Sequence, residues 1–233
     1  NNDSTVTVPA AGDWGYIKFS GSGSSDSVMS HVVVRYGGLK DDSIGSYETW
    51  RNYMIWASAS SPSINNCVFE YAYDTAVRFD SPVLDVDFSN NAISNSANGL
   101  FINGPSVSMI DAMVSNNNIV VTGTGINVSW GVTGQPAVVT GNVVSGGTNA
   151  LKLTNGAYTI SNNQLSGSGY KIVTNGSVKA SYPGNTIDWT GLKGILVSGA
   201  IDRDQTWSSV NSLGQSYVFM GDLTINARLT IEP

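Results

Sequence analysis

Ile64-Asn65-Asn66-Cys67-Val68 decides the reading of this chain, because a version of it returns five more times. The copies are Ser89-Asn90-Asn91-Ala92-Ile93, Asn116-Asn117-Asn118-Ile119, Thr140-Gly141-Asn142-Val143-Val144, Ser161-Asn162-Asn163-Gln164-Leu165 and Pro183-Gly184-Asn185-Thr186-Ile187. Aligned on the second Asn, the rungs are Asn66, Asn91, Asn117, Asn142, Asn163 and Asn185, spaced by 25, 26, 25, 21 and 22 residues. A small polar residue recurring every twenty-odd positions and followed by an apolar one marks a repeat architecture. An amide at such a corner can bond the backbone or the amide of the next repeat, which predicts a stacked ladder.

A second repeated strand lies between the rungs: Ala76-Val77-Arg78-Phe79, Gly99-Leu100-Phe101-Ile102, Gly125-Ile126-Asn127-Val128, Ala150-Leu151-Lys152-Leu153 and Tyr170-Lys171-Ile172. Trp14-Gly15-Tyr16-Ile17-Lys18-Phe19 fits as an earlier copy. Apolar residues flank one outward position in each, as period-two strands require. The outward column then runs Lys18, Arg78, Phe101, Asn127, Lys152, Lys171, with the last two as neighbours one coil apart. Two or three short strands per repeat of this length predict one coil of a parallel β-helix with apolar side chains stacked inside. The strand runs are β-branched and show no 3.6-residue period, which argues against a helical solenoid.

Bulk properties narrow the function. Only 12% of the 233 residues are charged, against roughly 25% in typical soluble domains. Uncharged hydrogen-bonding groups supply the polarity, as secreted and cell-surface proteins often have it. A net charge of −6 speaks against nucleic-acid binding, which needs a basic patch. One cysteine leaves no internal disulfide to expect. No apolar run reaches the roughly 18 residues of a membrane span.

Ser30-His31-Val32-Val33-Val34-Arg35-Tyr36-Gly37-Gly38 aligns with Asn65-Asn66-Cys67-Val68-Phe69-Glu70-Tyr71-Ala72-Tyr73, so His31 takes the Asn position and an insertion follows, roughly 39–52. After Asn185 the pattern changes, and residues 194–233 read as a different β-rich segment, a cap or the beginning of a next module. Two motifs carry a resemblance: Asp13-Trp14-Gly15-Tyr16-Ile17-Lys18-Phe19 with the 31–38 stretch, and Gly221-Asp222-Leu223-Thr224-Ile225 with Leu229-Thr230-Ile231-Glu232-Pro233. On these the chain resembles right-handed parallel β-helix repeat proteins of bacterial and archaeal extracellular surfaces, the pectate-lyase-like solenoid superfamily. The resemblance implies a right-handed coil, an extracellular or cell-surface location, and a piece of a longer polypeptide.

Candidate chemistry is thin. His31 is the single histidine, and its alignment with an Asn position points to packing rather than to a base or metal ligand. Asp41-Asp42, Asp85-Val86-Asp87 and Asp202-Arg203-Asp204 offer the oxygen ligands calcium takes. None has the glycine-spaced density of a calcium loop, so we expect solvated surface acids and no cofactor or metal. Between Phe88 and Ile187 the only acid is Asp111, which excludes a two-carboxylate hydrolase site along the middle of the chain. Residues 1–87 instead hold eleven of the seventeen acids and a dense set of aromatics. Aromatic faces beside polar groups suit sugar rings, and long insertions on repeat scaffolds often carry function. The candidate ligand residues are Tyr36, Tyr47, Trp50, Tyr53, Trp56, Glu70, Asp74, Arg78 and Asp80.

The sequence therefore predicts an all-β, right-handed parallel β-helix of about seven coils over 1–193, with a C-terminal β segment over 194–233. The expected function is a non-enzymatic repeat segment of a secreted or surface protein, acting in adhesion, scaffolding or end-to-end self-assembly. The alternative is a polysaccharide-binding or polysaccharide-degrading protein that uses the aromatic insertion, 39–56.

Overall fold

The alternation in Thr75–Asp80 shows how the coil is built. Val77 and Phe79 are fully buried while Arg78 and Asp80 face outward, because successive side chains of a strand leave opposite faces. The same strand recurs coil after coil in strict register. Ile55, Val77, Leu100, Ile126, Leu151, Ile172 and Ile195 are Cα partners of one another and form one buried column. The computed structural model, which describes residues 8–38, 52–104, 111–131, 135–207 and 216–232, stacks these strands into a parallel β-solenoid of about seven turns. This architecture is in keeping with a right-handed parallel β-helix.

Each turn contributes one strand to each of three faces. The first face has nine strands, from Ile17–Ser20 to Tyr217–Ile225. The second and third have seven each, from Val28–Ser30 to Val178–Ser181 and from Val33–Arg35 to Thr186–Ile187. The core is one continuous apolar cluster enclosed by the three faces. Where coils approach most closely only glycine fits. A Cβ on Gly99 would stand 2.3 Å from the Gly125 carbonyl oxygen, and one on Gly125 would stand 2.2 Å from a Val144 methyl.

The corner between the second and third faces carries the Asn repeat. Its first residue adopts a left-handed φ: His31 (58°), Asn66 (54°), Asn90 (57°), Asn116 (56°), Gly141 (66°), Asn162 (55°) and Gly184 (68°). Only Gly, and less readily Asn, enters this region without steric strain. The next residue points inward, and from Asn91 to Asn185 it is always Asn. Asn91, Asn117, Asn142 and Asn163 are buried. Each Nδ2 donates to the following Oδ1, Asn91 to Asn117 at 3.1 Å and then Asn117 to Asn142, Asn142 to Asn163 and Asn163 to Asn185 at 2.9 Å. Each Oδ1 also accepts the backbone N–H of the preceding coil's Asn, at 2.8–3.0 Å. The second amide hydrogen goes to a carbonyl of the second face: Ile64, Phe88, Val114, Val139 or Ile160.

Asn66 does not belong to this column. It is the exposed left-handed corner residue, and its amide bonds the neighbouring Asn65. The inward place in that coil is held by Cys67, whose N–H donates to Asn91 Oδ1 at 2.9 Å and whose Sγ lies 3.4 Å from the Met29 carbonyl. The doublet Asn65-Asn66 starts one residue earlier in its coil than Asn90-Asn91 does, so counting to the second Asn slips by one.

Beyond the seventh coil the first face continues without a break. Ile195 pairs with Ile172, and Tyr217 pairs with Ile195. The second and third faces end with the seventh coil, and Gln205–Trp207 pairs with Leu229–Ile231 instead. Position 194, where the sequence pattern changes, is therefore a change of coil composition within a continuous first sheet. No helix among the described residues is long and apolar enough to cross a membrane.

Candidate functional site

The outward column of the first face starts Lys18, Trp56, Arg78, Phe101. Strand Tyr53–Ser58 is thus a regular rung rather than part of an insertion, and Trp56 stands between the two cations. The Lys18 ammonium sits 4.0 Å above the Trp56 ring. The Arg78 guanidinium lies 4.6 Å from the Tyr53 ring and 4.4 Å from the Phe101 ring, within the roughly 6 Å reach of a cation–π attraction. Asp80 gathers the row from the side: its Oδ2 accepts from Arg78 Nε at 2.7 Å and from Trp56 Nε1 at 2.9 Å, and its Oδ1 accepts from Asn103 at 3.2 Å. Tyr16 meets Trp56 edge-on at 5.6 Å. Burial pushes the Tyr53 phenol up, with the Arg78 charge opposing the shift, so the phenol stays neutral.

Lys171 does not extend this column. Lys152 pairs with Val173, and the outward line runs on through Leu196 and Val218. Lys171 is buried in the inward column that holds Ala76, Gly99, Gly125 and Ala150, and its Nζ donates to the Thr190 carbonyl. Lys152 and Lys171 therefore do not stand side by side on the surface to meet an acidic glycan.

A second group lies on the third face and at the corner leading back to the first. Arg35 Nε meets Glu70 Oε2 at 2.6 Å across one coil step. Tyr36 and Tyr71 stack at 5.1 Å with their planes 15° apart. Both tyrosines have left-handed φ, 64° and 59°, where the next coil has Asn95 at 53°. A bulky residue in that region is uncommon and strained. Tyr71 and Tyr73 are exposed. Asp74 opens the strand that ends at Asp80, and it accepts from Asn98 Nδ2 at 2.8 Å.

The predicted residues thus separate. Tyr53, Trp56, Arg78 and Asp80 come together on the first face; Tyr36 and Glu70 stand at the third corner; Asp74 bonds the coil above it. Tyr47 and Trp50 lie outside the described residues. Lys18 and Phe101 belong to the first group although they were not among the candidates, and the shared outward position was the signal for both. Asp74 and Asp80 stand six residues apart along an extended strand, roughly 20 Å, well beyond the ~5–10 Å of paired hydrolase carboxylates. Among the described residues no three His, Cys, Asp or Glu side chains group to hold a metal ion. Asp85 accepts from the Asp111 N–H, Asp87 from Ser63, Asp202 from Asn226 and Asp204 from Arg228.

Comparison with protein-family models, with curated proteins and with solved structures finds no match to this chain.

Proposed function

We propose that this chain is a non-enzymatic scaffold segment of a longer, secreted or cell-surface protein of the pectate-lyase-like solenoid type, working in adhesion or assembly. One observation carries the reading: the carboxylates of both clusters are already spent on holding adjacent coils together. Glu70 is bound to Arg35 and Ser94, Asp74 to Asn98, and Asp80 to Arg78, Trp56 and Asn103. A general acid or base must be within hydrogen-bond reach of a substrate proton, and these groups face their own neighbours. The low charge and uncharged polar surface support the extracellular part of the proposal.

A second reading, polysaccharide binding without cleavage, is favoured by the stacked, partly exposed Tyr36 and Tyr71 beside Tyr73. Incubation with a panel of acidic and neutral polysaccharides, followed by size-exclusion chromatography, tests both. The scaffold reading expects glycan of unchanged length that elutes apart from the protein. Co-elution that is lost in Tyr71→Ala establishes the binding reading. Shortened glycan overturns the non-enzymatic proposal.

A further inference from the structure

Where the first face turns into the second, the first three coils border an open groove of about 490 Å³, lined by Ser25, Asp26, Ser27, Val28, Ser61, Ser63, Leu84 and Asp85, with both acids exposed. Its floor is fixed by bonds between coils. Ser61 N–H donates to Ser25 Oγ at 3.1 Å, and Ser61 Oγ accepts from the N–H groups of Val83 and Leu84 at 3.0 and 2.9 Å. Ser25 and Ser61 are buried, so the groove has a rigid polar base rather than a loose surface loop.

The walls carry an uncompensated charge. The three stacked corner segments, 21–28, 59–63 and 81–87, contain no Lys, Arg or His. Asp26 has no ion-pair or hydrogen-bond partner among the described residues, and Asp85 accepts only the Asp111 N–H at 2.8 Å. Glu70 and Asp80, by contrast, each face an arginine, while Asp74 and Asp87 are met by the neutral donors Asn98 and Ser63. Beside the acids stand the Ser27 hydroxyl, also without a partner among the described residues, and two exposed aliphatic side chains, Val28 (67%) and Leu84 (48%).

We infer that this groove binds an amine-bearing oligosaccharide, an amino sugar whose ammonium groups meet Asp26 and Asp85. A bare cation does not match it. Calcium gathers six to eight oxygens around one point, whereas among the described residues no three His, Cys, Asp or Glu side chains group here, and a groove of 490 Å³ is many times the roughly 30 Å³ share of one water molecule. The size falls within the roughly 300–1,000 Å³ of small-ligand sites. Serine hydroxyls suit the hydroxyl edge of a pyranose, Val28 and Leu84 its C–H face, and the unpaired carboxylates its amine. The groove shares no lining residue with the aromatic row or with the Tyr36–Tyr71 stack, so it stands or falls independently of the polysaccharide reading above.

Titration calorimetry on the whole chain decides it, with the glucosamine trimer as ligand and the N-acetylglucosamine trimer and trilysine as comparisons. The glucosamine trimer should bind at least ten-fold more tightly than either. The double variant Asp26→Asn, Asp85→Asn should weaken it ten-fold or more, while Asp222→Asn, an acid at the other end of the chain, should leave it unchanged. The Asp85→Asn change keeps a side-chain oxygen for the Asp111 N–H, and an unchanged melting temperature shows that the variant is folded. Trp56→Ala should bind as the wild type does. Equal binding of trilysine means attraction to the net negative charge alone and overturns the inference. So do equal binding of the acetylated trimer, an equal effect of Asp222→Asn, or no binding of the glucosamine trimer.

Discussion

The later coils and the first coils are tied together by different chemistry. From Asn91 to Asn185 the tie is internal, a file of neutral amides bonded to one another in the core. From Lys18 to Phe101 it is external, a file of alternating cations and aromatic rings with Asp80 at its flank. A buried amide has no water to fall back on, so each lost partner costs about 1–3 kcal/mol. Exposed cation–π contacts are worth about 0.5–1 kcal/mol each, and salt screens their charges. The internal file is therefore strong and intolerant of substitution, and the external one is weaker and replaceable piece by piece.

The sharpest way to break the contrast is Asn117→Ala. It strips partners from the Asn91 N–H and amide, the Phe88 carbonyl and Asn142 Oδ1. A loss of about 3–5 kcal/mol follows, lowering Tm by about 10 °C in a chain of this size. Thermal unfolding followed by circular dichroism checks it, and a loss under about 1 kcal/mol would remove the amide file from its place as the main tie.

A middle-sized effect belongs to the outer file. Asp80→Asn leaves Arg78 without its counter-charge, with side chains only 16% and 19% exposed in the pair, and should cost about 1–2 kcal/mol. In urea titrations that difference should shrink modestly at about 1 M salt, because a partly buried pair is screened less than an exposed one. A difference independent of salt would mean that Asp80 acts through its neutral hydrogen bonds to Trp56 and Asn103.

The smallest effect has the opposite sign. Cys67 occupies the inward place where later coils have Asn, and its Sγ already lies against the Met29 carbonyl as an amide nitrogen would. Burial holds the thiol above its ordinary pKa, so it is a neutral group there. Cys67→Asn should extend the amide file one coil toward the N-terminus and add up to about 1 kcal/mol. A destabilised variant would show that the internal chemistry cannot be carried into the first coils.

The coil was legible in the sequence because its period is enforced at two kinds of place, the amide corner and the inward apolar column. Asn91 through Asn185 could be read directly, since the buried corner calls for a short side chain with a carbonyl acceptor and two N–H donors, which only Asn offers at that length. Asn66 was misplaced because a left-handed corner and an inward amide favour the same residue type and stand side by side. Lys171 was misread for a related reason. The short run Tyr170-Lys171-Ile172 matches the earlier strands two residues out of step, and only the pairing of Ile172 with Leu151 fixes the register. The candidate site was half legible: composition located the aromatics, but the coil-to-coil partnerships of Asp80, Asp74 and Glu70 depend on register. Of the groove, the sequence showed only Asp85, as half of an acidic pair with Asp87, because corner segments of unequal length carry no period that would set Asp26 beside it.

The parallel register has a mechanical consequence. Every hydrogen bond between coils joins residues one turn apart, so tension applied to the chain ends loads only the outermost strands, and the stack would unwind turn by turn. Each repeat of 21 to 26 residues would release roughly 70–90 Å of extended chain as it peeled away. Such a body yields in steps and keeps the remaining turns intact, which makes it a serial spring rather than a single brittle link.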